Sequence, residues 1–92
     1  NIKRIIPDGL EANINLNQIK PLKIFKWLKK NDIADSEILK TFNCGVGFCI
    51  IINPKKFNKV KEYFTKEFKP YVIGKITKGK DKIKLNGNIN WI

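Results

Sequence analysis

Ninety-two residues allow one domain with one modest core, since a chain of this size buries only about 60–65% of the surface its unfolded form exposes. A hydrophobic fraction of 42%, with two Trp, two Tyr and six Phe, excludes wholesale disorder. The formal charge of +11 would suit a polyanion, but every basic residue except Arg4 is a lysine, the lysines are scattered through all segments, and readers of phosphate and guanine favour Arg.

The opening NIKRIIPDG is predicted extended, because Pro7 biases Ile6 away from helix and Asp8-Gly9 is turn chemistry. LEANINLN then alternates Leu10, Ala12, Ile14 and Leu16 with Glu11, Asn13, Asn15 and Asn17, the pattern of a strand with one wet face. Pro21 suits the first turn of a helix whose buried stripe is Leu22, Ile24, Phe25 and Leu28. Lys23, Lys26, Lys29 and Lys30 fall on its solvent side, the last two also favoured by the helix dipole. A second short helix is expected after Asp35 or Ser36, whose side-chain oxygens suit a cap, carrying Ile38 and Leu39 inward and ending near Phe42.

GFCIII, residues 47–52, is short, apolar and β-branched, which predicts a central strand buried on both faces. Asn53-Pro54 stops it and caps a helix with Phe57, Val60, Phe64 and Phe68 as its apolar stripe. PYVIGKITKG reads as a strand with a glycine at its centre, and DKIKLNG with NINWI as a hairpin around Asn86-Gly87. The resulting order predicts an α/β fold of the sandwich kind, a mixed β-sheet flanked by helices, with no repeat, linker or low-complexity tract.

Cys44 and Cys49 are the only cysteines and histidine is absent, so a tetrahedral zinc site would lack two ligands, and no metal site is expected within the chain. A disulfide between them would bend a segment that otherwise reads as extended, so two reduced thiols are expected. No segment resembles a secretory or transit peptide, and the longest apolar run is far below the roughly 20 residues that span a bilayer. A soluble, cytoplasmic protein with no membrane partner is the expectation.

Gly45-Val46-Gly47 is neither a dinucleotide fingerprint nor a Walker loop, since those follow a strand and open a helix, whereas these glycines precede the predicted strand. Two readings stay open: a tight helix-to-strand corner, or a turn where a ligand approaches backbone amides with Thr41 and Asn43 alongside. Arg4 is either a fork for a phosphate or carboxylate or a plain surface arginine. Asp8, Glu11, Asp32, Asp35 and Glu37 form no acid–base pair and read as turn, cap and surface residues. Trp27 and Trp91 fall outside the apolar stripes.

NIKRIIPDGLEANIN, IFKWL, EILKTFNCGVGFCIII and YVIGKI resemble, in order and spacing, the end of aminoimidazole ribonucleotide synthetase, also called phosphoribosylformylglycinamidine cyclo-ligase, of the PurM superfamily. Asn1, Arg4 and Pro7 match that family's N-x-x-R-x-x-P, and Thr41, Phe42, Asn43, Gly45 and Gly47 its T-F-N-x-G-x-G. The resemblance implies an ATP- and Mg²⁺-dependent ring closure in purine biosynthesis by a cytoplasmic homodimer. Residues 1–92 would then be the C-terminal segment of a cyclo-ligase-like domain, without the N-terminal ATP-binding domain that holds most of the ATP and Mg²⁺, and inactive alone. Asn1, Arg4, Thr41, Asn43, Gly45 and Gly47 would contact substrate or phosphate, the partners being nucleotides, ribonucleotides, a second subunit or the remaining portion of the enzyme. A relative that shares the fold, such as formylglycinamidine ribonucleotide synthetase, thiamine monophosphate kinase or selenophosphate synthetase, is the near alternative. A small basic module for nucleic acid is the distant one.

Overall fold

The computed structural model describes residues 1–92. Three strands form one mixed sheet in the order β2-β1-β3, with β1 spanning Leu10–Asn15, β2 Gly74–Lys78 and β3 Lys82–Asn86. β1 lies in the middle, antiparallel to β2 and parallel to β3. Ala12 stands opposite both Ile76 and Ile83, and Asn13 opposite both Lys75 and Lys84. The register therefore carries the alternation of β1 across the sheet and makes one face apolar and the other polar and basic.

Consecutive strands β2 and β3 flank β1 on opposite sides, so their connection must cross its end. It does so over Glu11, where the Gly79 amide donates to the Gly9 carbonyl at 3.1 Å and the Asp81 amide to Glu11 Oε2 at 3.3 Å. A Cβ on Gly79 would fall 2.8 Å from Glu11 Cβ, so this crossing requires glycine. Glu11, expected on the wet side, is buried at 8% exposure beneath the connection, which also supplies its carboxylate with a donor. Asp8 at the same end pairs with Lys82 at 3.1 Å.

The core consists of Ile6, Ala12, Ile14, Leu16, Ile19, Ile38, Cys44 and Ile89, with Ile38 and Cys44 fully enclosed. Two helices accompany it: α1 at Lys23–Lys29 and α2 at Asp35–Thr41. α2 inserts Ile38 as expected, but its N-cap is Ala34 with no side-chain bond, because the Asp35 carboxylate turns instead to Lys29 and Trp91. The α1 stripe is only partly realised: Phe25 and Leu28 are half-buried while Leu22 and Ile24 stay exposed, as does Trp27. Trp91 is half-buried against the core.

Several expectations are corrected. The N-terminus is not extended throughout; Ile2–Ile5 form a 3-10 turn, and only Ile6, before Pro7, takes the extended conformation at φ −81°, ψ 121°. The first strand stops at Asn15, whose side chain accepts the Asn17 amide at 3.0 Å and starts a 3-10 turn over Leu16–Gln18. The third helix begins as foreseen, with Asn53 Oδ1 accepting the Lys55 amide at 3.0 Å, passes through a 3-10 turn at Pro54–Lys56, and continues as α3 over Phe57–Lys61 only. Phe64 and Phe68 therefore lie beyond it and are exposed, in a stretch whose Tyr, Phe and Thr residues propagate helix poorly. The glycine of PYVIGKITKG begins β2 rather than centring it.

The largest differences concern strand pairing. Residues 47–52 are not a strand and not buried: Phe48 is 88% exposed, and Ile50, Ile51 and Ile52 are also open. Both edges of the central strand are already occupied by β2 and β3, so β1 rather than this segment holds the middle of the sheet. The hairpin at Asn86-Gly87 does not form either, because β3 pairs with β1. After Gly87 the Asn88 amide donates to Asn17 Oδ1 at 2.8 Å, and the chain turns inward to bury Ile89. With extents of 39 × 35 × 19 Å the molecule is a slab of about two layers. No helix is long and apolar enough to cross a membrane.

Ile38→Ala removes the most enclosed large side chain and is expected to lower unfolding free energy by about 2–5 kcal/mol. Phe48→Ala, on an exposed residue, should change it by about 0.5 kcal/mol or less. Urea unfolding of the two variants measures the contrast, and equal losses would contradict this core.

Candidate functional site

The turn after α2 is built around Asn43. Its Oδ1 accepts the Gly45 amide at 2.8 Å and its carbonyl accepts the Val46 amide at 2.9 Å, so one residue closes the corner from both side chain and main chain. Cys44 and Gly45 both take positive φ, 56° and 103°, which sends the Cys44 thiol into the core while the chain reverses. A Cβ on Gly45 would lie 3.1 Å from both Leu22 Cγ and the Lys20 carbonyl oxygen. Gly45 is thus fixed twice, by its backbone conformation and by the segment packed over it.

Gly47 differs. Its φ lies outside the left-handed range and no atom stands within 4 Å of where a Cβ would sit. Its amide and that of Phe48 make no hydrogen bond within the chain. The corner therefore has a closed half, in which the amides of Gly45 and Val46 are occupied by Asn43, and an open half from Gly47 onward with solvent-facing donors. Thr41, the last residue of α2, is exposed, and its hydroxyl makes no intramolecular hydrogen bond.

Asn1 and Arg4 share the N-terminal 3-10 turn, in which the Arg4 amide donates to the Asn1 carbonyl at 3.1 Å. Both side chains are exposed, and the guanidinium has no acidic partner. The turn reaches the glycine corner indirectly: Ile6 and Cys44 belong to the same buried cluster, but no hydrogen bond or ion pair joins the two groups. Asn1 with Arg4, and Thr41 with Asn43, Gly45 and Gly47, are therefore two surface groups resting on one core.

Two constellations were not singled out from the sequence. A concavity of about 570 Å³ lies on the polar sheet face, lined by Asn13, Asn15, Gln18, Lys75 and Asn86 among others, and contains none of the residues of the glycine corner. The polar half of the β1 alternation was its signal. Elsewhere the Asp35 carboxylate accepts from Lys29 Nζ at 2.6 Å and from the Trp91 indole at 3.2 Å, tying the end of α1, the start of α2 and the C-terminal segment together. The Lys29 hydrogen bond, helped by the indole and opposed by partial burial, holds the Asp35 carboxyl below the ordinary carboxylate range. Burial, with the nearby Asp35 charge, pushes the Cys44 thiol up, so that it stays protonated inside the corner; Cys49 is exposed.

A family model described as AIR synthase related protein, C-terminal domain, matches residues 1–86, which takes in every element of the fold and both surface groups. The chain belongs to this family. Among curated proteins, the bifunctional purine biosynthetic protein purD of Dictyostelium discoideum is 39% identical over 82 residues, covering 87% of this chain and 10% of that protein. The chain thus spans about a tenth of the length of that relative. No solved structure matches. For this member of the AIR synthase related C-terminal domain family, the mixed sheet with its helices is the part of the domain that supports the glycine corner.

Gly45→Ala should lower unfolding free energy by about 1–3 kcal/mol, since alanine is strained at this φ and crowds Lys20 and Leu22. Gly47→Ala should be neutral within about 0.5 kcal/mol; thermal unfolding of both variants checks the asymmetry. Because the folded-state pKa of Asp35 is depressed, its contribution is complete above the unfolded-state value of about 3.9 and is lost as pH falls through the folded value. With the two side chains 32% and 37% exposed, solvent screening limits that contribution to about 1 kcal/mol or less. Asp35→Asn should flatten the acid limb of an unfolding free-energy profile below about pH 5 by that amount.

Proposed function

We propose that this chain is the C-terminal segment of an ATP-dependent cyclo-ligase that converts formylglycinamidine ribonucleotide to aminoimidazole ribonucleotide in purine biosynthesis, working in the cytoplasm as a homodimer. The observation that carries the reading is the family match over residues 1–86, together with a glycine corner whose outer amides are unpaired. The purine biosynthetic role of the Dictyostelium relative supports the same pathway.

In this reading the open half of the corner binds anionic oxygen. The amides of Gly47 and Phe48, the Thr41 hydroxyl and the free Asn43 amide nitrogen are neutral donors that suit a phosphoryl group, and Arg4 adds a charged fork. Gly47 admits the ligand to the backbone because nothing occupies the space beside it. Gly45 and the Asn43 carbonyl act earlier in the chain of cause, by fixing the direction in which those donors point. Ring closure requires the substrate amide oxygen to be activated by phosphorylation and a nitrogen of the same molecule to displace the phosphate. The contribution of these residues is to hold charge and orient the reacting ends.

The residues present suit the phosphates of ATP and of the ribonucleotide, but they do not suit Mg²⁺. No group of three His, Cys, Asp or Glu side chains converges anywhere in the chain, whereas Mg²⁺ is held by carboxylates and phosphate oxygens. Asp35, whose charge acts on Cys44 in the corner, is committed to Lys29 and Trp91. No catalytic step is assigned to a metal ligand of this segment.

In the complete enzyme, Arg4→Ala is expected to lower turnover of formylglycinamidine ribonucleotide with ATP by about tenfold or more, as loss of a charge-assisted phosphate contact does. Stability should be unchanged, since Arg4 is exposed and without an acidic partner. The 92-residue chain alone should show no turnover. Undiminished turnover by the Arg4 variant, activity of the isolated chain, or preference of the complete enzyme for the substrate of a related synthetase or kinase would each reject the assignment.

A further inference from the structure

Lys20 joins two distant parts of the chain through its main-chain groups. Its carbonyl oxygen lies 3.1 Å from where a Cβ on Gly45 would sit, so it forms part of the wall against the glycine corner. Its amide donates to the Tyr71 hydroxyl at 3.1 Å, and its ammonium lies 4.8 Å from the centre of the Tyr71 ring. We propose that Tyr71 is a positioning residue for the corner: its phenolic oxygen holds the main chain of Lys20 against Gly45 and so steadies the point from which the Gly47 and Phe48 amides depart. The consequence for turnover rests on the reading of those amides as donors to a phosphoryl group.

The wall needs an outside support. Residues 20–22 cross the surface between buried Ile19 and half-buried Phe25, ahead of α1. Pro21 has no amide to donate, and Leu22 begins the helix without a side-chain cap. The bond from Lys20 to Tyr71 is the one hydrogen bond that ties these residues to a remote segment. At its other end Tyr71 is half-buried just ahead of Ile73, whose carbonyl accepts the Asn15 amide at 2.7 Å and whose side chain packs against the core. The phenol therefore stands on the sheet and carries the position of the sheet to the wall.

Asn43 does not supply this. Its two hydrogen bonds, to the Gly45 and Val46 amides, close the corner on itself and leave open how the corner sits on the domain. That orientation is set by a clamp, with the Cys44 side chain seated in the core on one side and Lys20 and Leu22 pressed on Gly45 from the other. Releasing Lys20 frees one jaw. The ring and the ammonium contribute less, because an exposed cation–π contact on a flexible stem constrains the stem and not the main chain.

The test uses the complete enzyme with Tyr71→Phe, which keeps the ring and removes only the oxygen, and Lys20→Met, which keeps the main-chain amide and removes the ammonium. Tyr71→Phe is expected to speed hydrogen exchange at the Gly45 and Val46 amides by about two- to tenfold, the range of one neutral hydrogen bond, with exchange in β1 and β2 unchanged. It should lower kcat for formylglycinamidine ribonucleotide with ATP by a similar factor and leave KM within about twofold, because donors that are present but less well aimed lose most where charge develops in the transition state. Lys20→Met should change exchange and kcat by no more than about twofold. Unchanged exchange at Gly45 and Val46 in Tyr71→Phe overturns the proposal, and so does equal acceleration in β1 and β2, which would make Tyr71 a support of the sheet at large. Equal effects of Lys20→Met would also overturn it, since the ammonium would then be the group that matters. Arg4→Ala separates the underlying reading. If it lowers turnover while Tyr71→Phe loosens the corner without changing kcat, the positioning role fails and the phosphoryl reading stands; if neither variant affects turnover, the phosphoryl reading fails and the positioning role falls with it.

Discussion

The structure depends on β1 being paired along both edges. One six-residue strand supplies the ladder for β2 and for β3, and its apolar residues Ala12 and Ile14 form the floor on which Ile38, Ile89 and the glycine corner rest. Because its two neighbours are consecutive in sequence yet lie on opposite sides, the link between them must pass over the strand end, and that passage encloses Glu11. A carboxylate with a main-chain donor, under a glycine that leaves room for it, is how the fold accommodates an acidic residue in a nearly buried position. With both edges of β1 occupied, the apolar run at 47–52 does not hold the centre of the sheet and lies at the surface.

What was legible in the sequence was what local physics decides. The alternation of LEANINLN located β1 because a half-buried strand must change face at every residue, and Asn53-Pro54 located the start of the third helix because the Asn side chain and the fixed proline φ act within one turn. α2 was found from the side-chain oxygens of Asp35 and Ser36 and from its inward Ile38 and Leu39, although Asp35 serves Lys29 and Trp91 instead of capping it. What was not legible was non-local. Hydrophobicity says that Phe48–Ile52 ought to be covered, but not whether a ladder position is free. Asn86-Gly87 favours a hairpin locally, and the parallel register with β1 overrides that preference because it places Ile83 beside Ala12.

The candidate site shows the same division. The sequence marked Thr41, Asn43, Gly45 and Gly47 as one unit, but the fold separates them by role. Asn43 and Gly45 are consumed in making the corner, with Gly45 pressed against Lys20 and Leu22, whereas Thr41 and Gly47 remain open. Spacing alone could not reveal this, because a glycine required for its conformation and one required for the space beside it look identical as letters. The packing of residues 20–22 over Gly45, contributed by a segment more than twenty positions earlier, makes the difference.

The division also bears on how such a corner could select an anion in so basic a chain. Lysines distributed over every segment attract any negatively charged solute, and at a Debye length of about 8 Å in physiological salt that attraction carries little positional information. Discrimination must come from donors whose direction is set before the ligand arrives. Main-chain amides just after a corner locked by Asn43, with Cys44 seated in the core, come nearer to that condition than ammonium groups on flexible stems. Arg4 is held less directly, through a short turn anchored by Ile6 in the same cluster. The lysines would then govern how fast anions gather at the surface, and the amides and the single guanidinium would decide which of them stays.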